Sequence, residues 1–181
     1  MIEREVKLRF DSPDQARAAI LATGATLLRD RRLQEDALFD TDDEVLQGQH
    51  SALRLRTETG TSLLTFKGPV AADTMKVRDE YETEVGSHVV MTQVLAALGL
   101  HVWFRYEKYR EEYTAKDVIV ALDETPVGTY IEIEGDEHGI LAMTRALGRT
   151  PEDFILQSYR RLFVLRREEY GLGPDMLFRT R

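Results

Sequence analysis

Cysteine is absent from the 181 residues of this chain. Its absence excludes disulfides, zinc sites built from thiolates and cysteine nucleophiles. It also suits a protein of the cytoplasm, which is the location we expect. No run of apolar residues reaches the roughly 20 that a membrane helix needs, and no basic leader precedes an apolar stretch. We therefore expect neither secretion nor a membrane partner.

Positive net charge is lacking too, since the formal net charge is −8. Proteins that bind duplex nucleic acid usually carry a basic surface, so we expect no nucleic-acid partner. The sequence has no G-x-x-x-x-G-K-[ST] phosphate loop and no G-x-S-x-G nucleophile turn. Its histidines, at positions 50, 88, 101 and 138, show no metal-ligand spacing. Net charge is only a sum, however, and an acidic chain is able to enclose a basic cavity.

The sequence does contain many short segments in which polar and apolar residues alternate as in strands. Eight strands are predicted, over residues 2–10, 26–39, 51–58, 62–67, 77–85, 102–114, 117–123 and 129–134. Two helices are predicted over residues 12–24 and 87–99, because each begins at a serine suited to capping and ends at a glycine. The chain after residue 134 is predicted to be helical, most clearly over residues 160–170.

The two predicted helices repeat each other at a fixed distance. Ser12 and Ser87 begin them, Gly24 and Gly99 end them, and both pairs are offset by 75 positions. The chain is therefore predicted as strand–helix–three strands, twice, and eight such strands are enough to close a barrel around a lumen. We expect one α+β domain over residues 1–181. Its antiparallel tunnel of strands would span about residues 2–134, with helices outside it and C-terminal helices over about residues 136–181.

Charged residues collect on one face of several predicted strands. In the first strand, Glu3, Glu5 and Lys7 share a face, while Val6 and Leu8 lie on the other. Like charges are grouped in the same way in later strands: Arg54 with Arg56, Glu80 with Glu82 and Glu84, Lys108 with Arg110, and Glu132 with Glu134.

Two interpretations of these faces stay open. A one-sided antiparallel sheet turns its charged face to solvent, and for any single strand that is the simpler explanation. Clustered like charges destabilise a sheet, however, unless opposite charges lie between them. A closed barrel with a charged lumen supplies that arrangement. Its lysines and arginines would hold phosphate oxygens, and its carboxylates would hold Mg²⁺ or Mn²⁺, which prefer oxygen ligands.

Eight short segments, taken in order along the chain, carry a family resemblance. They are residues 3–7 (EREVK), 40–41 (DT), 53–56 (LRLR), 64–69 (LTFKGP), 78–82 (RDEYE), 107–110 (EKYR), 122–134 (LDE to IEIE) and 158–159 (SY). The first resembles the E-x-E-x-K signature of the CYTH superfamily, the triphosphate tunnel metalloenzymes, and the others follow in that family's order. The surroundings of residues 107–110 and 122–124 are most similar to the class IV adenylate cyclase-like branch.

The resemblance implies an eight-stranded antiparallel tunnel and metal-dependent chemistry on ATP, inorganic tripolyphosphate or thiamine triphosphate. It implies either hydrolysis or the cyclisation of ATP to cyclic AMP and pyrophosphate. The residues alone leave this choice open, because both reactions need the tunnel and only cyclisation also needs an adenosine pocket. Candidate rings for that pocket are Phe39, Trp103, Phe104 and Tyr106, although packing is the more usual role of such rings.

The resemblance also implies a role for each matching position. The phosphate-binding residues that it implies are Lys7, Arg54, Arg56, Lys67, Lys108 and Arg110, with Arg78 either a ligand contact or a counter-ion. The metal-binding carboxylates that it implies are Glu3, Glu5, Glu132 and Glu134, followed by Glu80, Glu82 and Asp123. Catalysis would be mainly positioning and charge neutralisation, and the residues selected for it are Glu5, Lys7, Lys67 and Arg110.

Other questions stay open at this point. Some family members carry a lysine on the last helix that reaches the tunnel, where this chain offers Arg160, Arg161, Arg166 and Arg167. The apolar residues over 162–178 either cap the barrel or form a homodimer surface. A module that binds a nucleotide or polyphosphate without turning it over is the alternative to an enzyme. A barrel whose charges merely face water is the third hypothesis.

Overall fold

The computed structural model describes residues 2–71 and 73–179. Within these ranges the chain forms eight strands: β1 Ile2–Phe10, β2 Thr26–Asp40, β3 Ala52–Glu58, β4 Thr61–Lys67, β5 Lys76–Val85, β6 His101–Ala115, β7 Val118–Thr125 and β8 Gly128–Gly135. It also forms five helices: α1 Pro13–Ala22, α2 Val45–Gly48, α3 His88–Ala97, α4 Glu137–Ala146 and α5 Tyr159–Arg166. The eight predicted strands are confirmed, with small shifts at their ends.

The predicted helical C-terminus is only partly correct. Helices α4 and α5 are present, but a 3₁₀ turn at Pro151–Asp153 separates them, and residues 167–179 form turns and irregular chain. Gly148 explains the first interruption, since it directly follows the C-cap Leu147 of α4 and adopts a positive φ of 70°. The four-residue helix α2 was not predicted.

The strands close into an antiparallel barrel in the order β1-β5-β4-β3-β2-β6-β7-β8, so that β8 returns to β1. This order is unchanged when β1 to β4 are exchanged with β5 to β8, as two equivalent halves require. The repeat also extends to the helix ends. Ser12 accepts a hydrogen bond from the Gln15 backbone nitrogen at 3.2 Å, and Ser87 accepts one from that of Val90 at 3.3 Å.

The barrel is apolar outside and charged inside. Val6, Leu8 and Phe10 of β1 pack outward in one buried cluster with Ile20 of α1 and Ile140 of α4. Each fully buried side chain of this size contributes roughly 1.5–3 kcal/mol to folding. Helix α3 covers a second wall through Leu95, which packs with Leu55 and Phe39. The helices cover the apolar outer face of the barrel. The alternate residues of each strand therefore point into the lumen.

Helix α5 closes one end of the barrel. Tyr159, Leu162 and Phe163 pack against Phe104 and Tyr130. The segment before the helix is tied to β1 by a hydrogen bond from the Ile155 backbone nitrogen to the Lys7 carbonyl, at 2.8 Å. In the part of the chain that the structure describes, no helix has both the length and the apolar composition that crossing a membrane requires.

Candidate active site

A cavity of about 1020 Å³ runs through the barrel and receives side chains from all eight strands. Among the described residues, its basic lining consists of Lys7, Arg29, Arg54, Arg56, Lys67, Lys76, Arg78, Lys108, Arg110 and Arg160. Its acidic lining consists of Glu3, Glu5, Glu58, Glu80, Glu82, Glu112, Glu132 and Glu134. The predicted site residues therefore meet in one cavity, with the exception of Asp123, which is fully buried beneath lining residues and does not itself line the cavity.

One group of lining carboxylates comes from β1, β5 and β8. Glu3 accepts hydrogen bonds from Lys67 Nζ at 2.7 Å and from Arg78 Nε at 2.8 Å. Lys67 also contacts Glu80, at 2.5 Å. Burial acts to raise the pKa of Glu3, but Lys67 and Arg78 outweigh it and hold that pKa well below its usual range. Arg78 is therefore a counter-ion of Glu3 in this structure.

Glu5 and Glu134 are paired across β1 and β8 and differ in their surroundings. Glu5 is buried and accepts a hydrogen bond from Lys76 on the neighbouring strand β5. Glu134 is open to the cavity and has no ion pair within the described ranges. Burial and the charges of Glu3 and Glu5 raise its pKa to about 7. This part of the lining thus has an excess of negative charge at Glu134.

The chemistry of these donors fits a divalent metal ion, although their positions do not yet form a ligand set. Glu3, Glu5 and Glu134 supply carboxylate oxygens, the ligands that Mg²⁺ and Mn²⁺ prefer. Over residues 2–71 and 73–179, no three acidic or histidine side chains converge closely enough to hold a metal ion. Lys67 and Lys76 hold Glu3 and Glu5 instead. A metal ion at these carboxylates therefore requires the lysines to move aside.

On another part of the wall, a buried aspartate holds two arginines. Asp36 of β2 is 3% exposed and accepts hydrogen bonds from Arg56 Nε at 2.8 Å and Arg56 Nη2 at 3.2 Å, while Arg54 Nε lies 3.4 Å away. Burial acts to raise the pKa of Asp36, but the two arginines lower it. Asp36 therefore stays ionised and fixes both guanidinium groups on the cavity wall.

A second buried aspartate has the same arrangement. Asp123 of β7 is fully buried and accepts hydrogen bonds from Lys108 Nζ at 2.8 Å, from Arg110 Nε at 2.7 Å and from the Tyr159 hydroxyl at 2.6 Å. Burial and the nearby Arg110 lower the pKa of Lys108 to about 8, despite the opposing charges of Asp123 and Glu132. With both oxygens occupied, Asp123 is placed to position basic residues. Its predicted role as a metal ligand stays untested.

Lys7 and Glu132 lie beside the group held by Asp123, because Glu132 contacts Lys7, Lys108 and Arg110. Lys7 Nζ is 2.9 Å from Glu132 Oε1 and 4.6 Å from the centre of the Tyr159 ring. Arg110 contacts Glu132 as well. Burial acts to raise the pKa of Glu132, but Lys7, Lys108 and Arg110 lower it far below its usual value. Glu132 is therefore a carboxylate surrounded by the predicted phosphate-binding cations.

Of the four arginines offered by the last helix, Arg160 lines the cavity. Its guanidinium carbon lies 5.4 Å from the Trp103 ring centre and 4.9 Å from that of Phe104. Its Nε and Nη1 atoms are buried without a hydrogen-bond partner in the described chain. Arg166 instead donates to the Val127 carbonyl at 2.8 Å. The helix-borne position that sequence reasoning left open is thus Arg160.

Sequence reasoning missed several residues of this site. Lys76 lies one residue before the predicted start of β5, and its spacing of two from Arg78 is the strand signal that identifies it. Asp36 lies within the second predicted strand, whose residues do not show clear alternation. Of the candidate rings, Phe39 and Phe104 are buried outside the cavity lining, whereas Trp103 and Tyr106 line it.

The family follows from a match between residues 1–159 and the model of the CYTH domain. The chain belongs to the CYTH domain family. It is 27% identical over 173 residues to "Putative adenylate cyclase MJ0240" of Methanocaldococcus jannaschii, which covers 90% of this chain and 98% of that protein.

Solved structures of other proteins show a similar fold. The PH1819 protein of Pyrococcus horikoshii OT3 superposes with a TM-score of 0.76 and 27% identity, over 91% of this chain and 99% of that one. "Putative adenylyl cyclase HpAC1" of Hippeastrum, reported to have a dominant triphosphatase activity, superposes with a TM-score of 0.64. At 19% identity, over 96% of this chain and 99% of that one, the Hippeastrum protein speaks for the fold alone.

Proposed function

We propose that this protein is a divalent-metal-dependent enzyme that acts on a triphosphate inside its barrel. The observation that carries the proposal is the pair of buried aspartates, Asp36 and Asp123, each of which holds two basic side chains on the wall of one cavity. Buried charges are expensive unless they are paired, and such pairs fix geometry. Here they hold Arg54, Arg56, Lys108 and Arg110 ready for an anion of several phosphates, together with Lys7 and Lys67.

Charge balance supports metal dependence. The ten basic lining residues and the buried Arg32 are nearly matched by the eight acidic lining residues together with Asp36 and Asp123. A bare triphosphate would add several negative charges to this balanced interior, which a low-dielectric site resists. Mg²⁺ or Mn²⁺ bound with the triphosphate would offset them. Glu3, Glu5, Glu132 and Glu134 would hold the metal, with Glu80 and Glu82 as further candidates.

The chain's own residues would act mainly by binding and orienting. Lys7, Arg54, Arg56, Lys67, Lys108 and Arg110 would donate to phosphate oxygens and hold the chain of phosphates in one line. A bound metal would neutralise charge on the phosphates and lower the pKa of water. Arg78 would serve as the counter-ion of Glu3. Among the residues selected for catalysis, Glu5 would hold metal, while Lys7, Lys67 and Arg110 would stabilise charge on the reacting phosphate.

Hydrolysis is the reaction that needs the fewest additional features, because a water molecule is its nucleophile. One observation favours cyclisation of ATP: Trp103 lines the cavity and would offer a surface for a base. The archaeal relative is named for adenylate cyclase, which agrees with this second candidate. We therefore propose triphosphate processing and leave the two reactions as outcomes of one assay.

The test is product analysis with purified protein, Mg²⁺ or Mn²⁺, and tripolyphosphate, ATP or thiamine triphosphate. Released phosphate identifies hydrolysis, and cyclic AMP with pyrophosphate identifies cyclisation. Glu5→Gln and Lys67→Ala should abolish either activity, whereas Glu168→Gln, an exposed control outside the cavity, should keep it. Tight binding of a triphosphate without product would favour a non-catalytic binding module. Absence of both binding and product would overturn the proposal.

We also propose that residues beyond the family match complete the same domain. Leu162, Phe163 and Met176 are buried in one cluster with Phe104, as a cap on the barrel requires. Leu165 and Leu177 are exposed, and a homodimer through them stays a prediction. Light scattering of the purified protein would give its oligomeric state.

A further inference from the structure

Glu5 lies between two very different neighbours in the barrel wall. On β5 its register partner is Lys76, and on β8 its register partner is Glu134. Lys76 Nζ donates a hydrogen bond to Glu5 Oε1. Both side chains are largely removed from solvent, with relative exposures of 6% for Lys76 and 8% for Glu5. The charge of each group therefore offsets the free-energy cost of burying the other.

The other cations of this region are occupied elsewhere. Lys67 bridges Glu3 and Glu80, and Arg78 contacts Glu3. Within the described residues, Lys76 makes its ion pair with Glu5 alone. Lys76 is thus the dedicated counter-ion of Glu5, which is the carboxylate next to the unpaired Glu134.

We propose that Lys76 is an internal competitor of the divalent cation at Glu5, and that it sets how tightly the barrel binds that cation before any triphosphate arrives. This inference rests on the proposed function, because it takes Glu5 as a metal ligand. An ammonium group and a divalent cation bind to the same carboxylate oxygens. A cation at Glu5 therefore breaks the Lys76 ion pair and places two positive charges side by side.

The proposal has a signature that a merely structural ion pair lacks. Removing the ammonium group leaves Glu5 buried without its counter-ion, which destabilises the metal-free protein. The same change removes the competitor, so the carboxylate becomes a stronger site for a divalent cation. Stability without metal and affinity for metal should consequently move in opposite directions.

The experiment uses the full chain and Mn²⁺ alone, measured by titration calorimetry, with melting temperatures recorded in a chelator. For Lys76→Met we expect Mn²⁺ to bind about fivefold more tightly than to wild type. We expect the metal-free variant to melt about 5 °C lower or more. Lys76→Arg keeps the charge and should bind Mn²⁺ like wild type. Lys116→Met makes the same charge change at an exposed turn and should alter neither quantity.

Equal or weaker Mn²⁺ binding by Lys76→Met, with wild type binding Mn²⁺, would overturn this inference and leave the proposed function intact. Failure of wild type and of every variant to bind Mn²⁺ alone would overturn this inference. The proposed metal site would fall as well if Mn²⁺ also failed to bind in the presence of tripolyphosphate. If Lys76→Met does not fold, Lys76→Gln carries the same test. Its amide still donates a hydrogen bond to Glu5 while the competing charge is gone.

Discussion

At the scale of single residues, the lining of the barrel consists of ions that are held by other ions. Asp36 and Asp123 do not themselves line the cavity, but each fixes two basic side chains that do. Glu3 and Glu5 are held in turn by lysines. A ligand that binds here exchanges one set of partners for another, so single substitutions should affect folding and binding together.

The first prediction concerns Asp36. In Asp36→Asn the arginines lose a buried charge partner, and breaking such a pair costs about 3 kcal/mol or more in unfolding free energy. Arg54 and Arg56 also lose their fixed positions, so tripolyphosphate should bind about tenfold more weakly. Denaturant unfolding and titration calorimetry measure the two effects. Asp43→Asn, at an exposed site, is the control, and tripolyphosphate affinity unchanged by Asp36→Asn would contradict the positioning role.

The second prediction concerns pH. Burial, Glu3 and Glu5 raise the pKa of Glu134 from its ordinary 4.5 to about 7, so between these values the folded protein retains a proton that the unfolded chain has released. The stability contributed by this proton is complete below the ordinary pKa. It is lost as the pH rises through 7, although exposure to cavity water weakens the effect.

Glu134→Gln removes that ionisation. The variant should therefore melt close to wild type at about pH 5 and above wild type at about pH 8, in metal-free buffer. Melting curves across this range, with Glu168→Gln as an exposed control, measure the difference. A gap between Glu134→Gln and wild type that does not grow with pH would contradict the assignment.

At the scale of secondary structure, local sequence patterns predicted the strands and helices better than they predicted the contacts between them. Alternation located most of the strands, and Ser12 and Ser87 located two helices, because both signals depend on a few neighbouring residues. Strand register is set by partners far apart in sequence, so pairs such as Glu5 with Lys76 could not be read locally. The position of Arg160 depends on how α5 closes the barrel, which also lies beyond a local pattern.

The third prediction concerns α5. Each basic lining residue of the described cavity pairs with a carboxylate, except Arg160, which packs on aromatic rings. It is therefore free to bind a ligand phosphate without breaking an ion pair. Arg160→Ala should weaken tripolyphosphate binding about tenfold, the value of one charged hydrogen bond. Arg161→Ala is a matched control, since Arg161 is the exposed neighbour on the same helix, outside the cavity lining.

At the scale of the whole molecule, the net charge of −8 conceals an interior in which opposite charges balance. Net charge alone could not reveal the lumen. What indicated the lumen was like charges repeated along single strand faces, such as Arg54 with Arg56, because an open sheet does not tolerate them well. In the closed barrel, acidic groups lie opposite the basic ones and offset the repulsion between like charges.

This balance leads to the last prediction. A triphosphate alone upsets it with negative charge and a divalent cation alone upsets it with positive charge, whereas together each offsets part of the other's charge. Mg²⁺ with tripolyphosphate should therefore raise the melting temperature by roughly 5 to 10 °C at saturating concentrations, more than the sum of the separate shifts. Lys67→Ala should shrink the joint shift, because Lys67 contacts Glu3 and Glu80 and is placed to bind phosphate. Shifts that merely add would mean that metal and triphosphate bind independently, and the charged barrel would then not be the site that joins them.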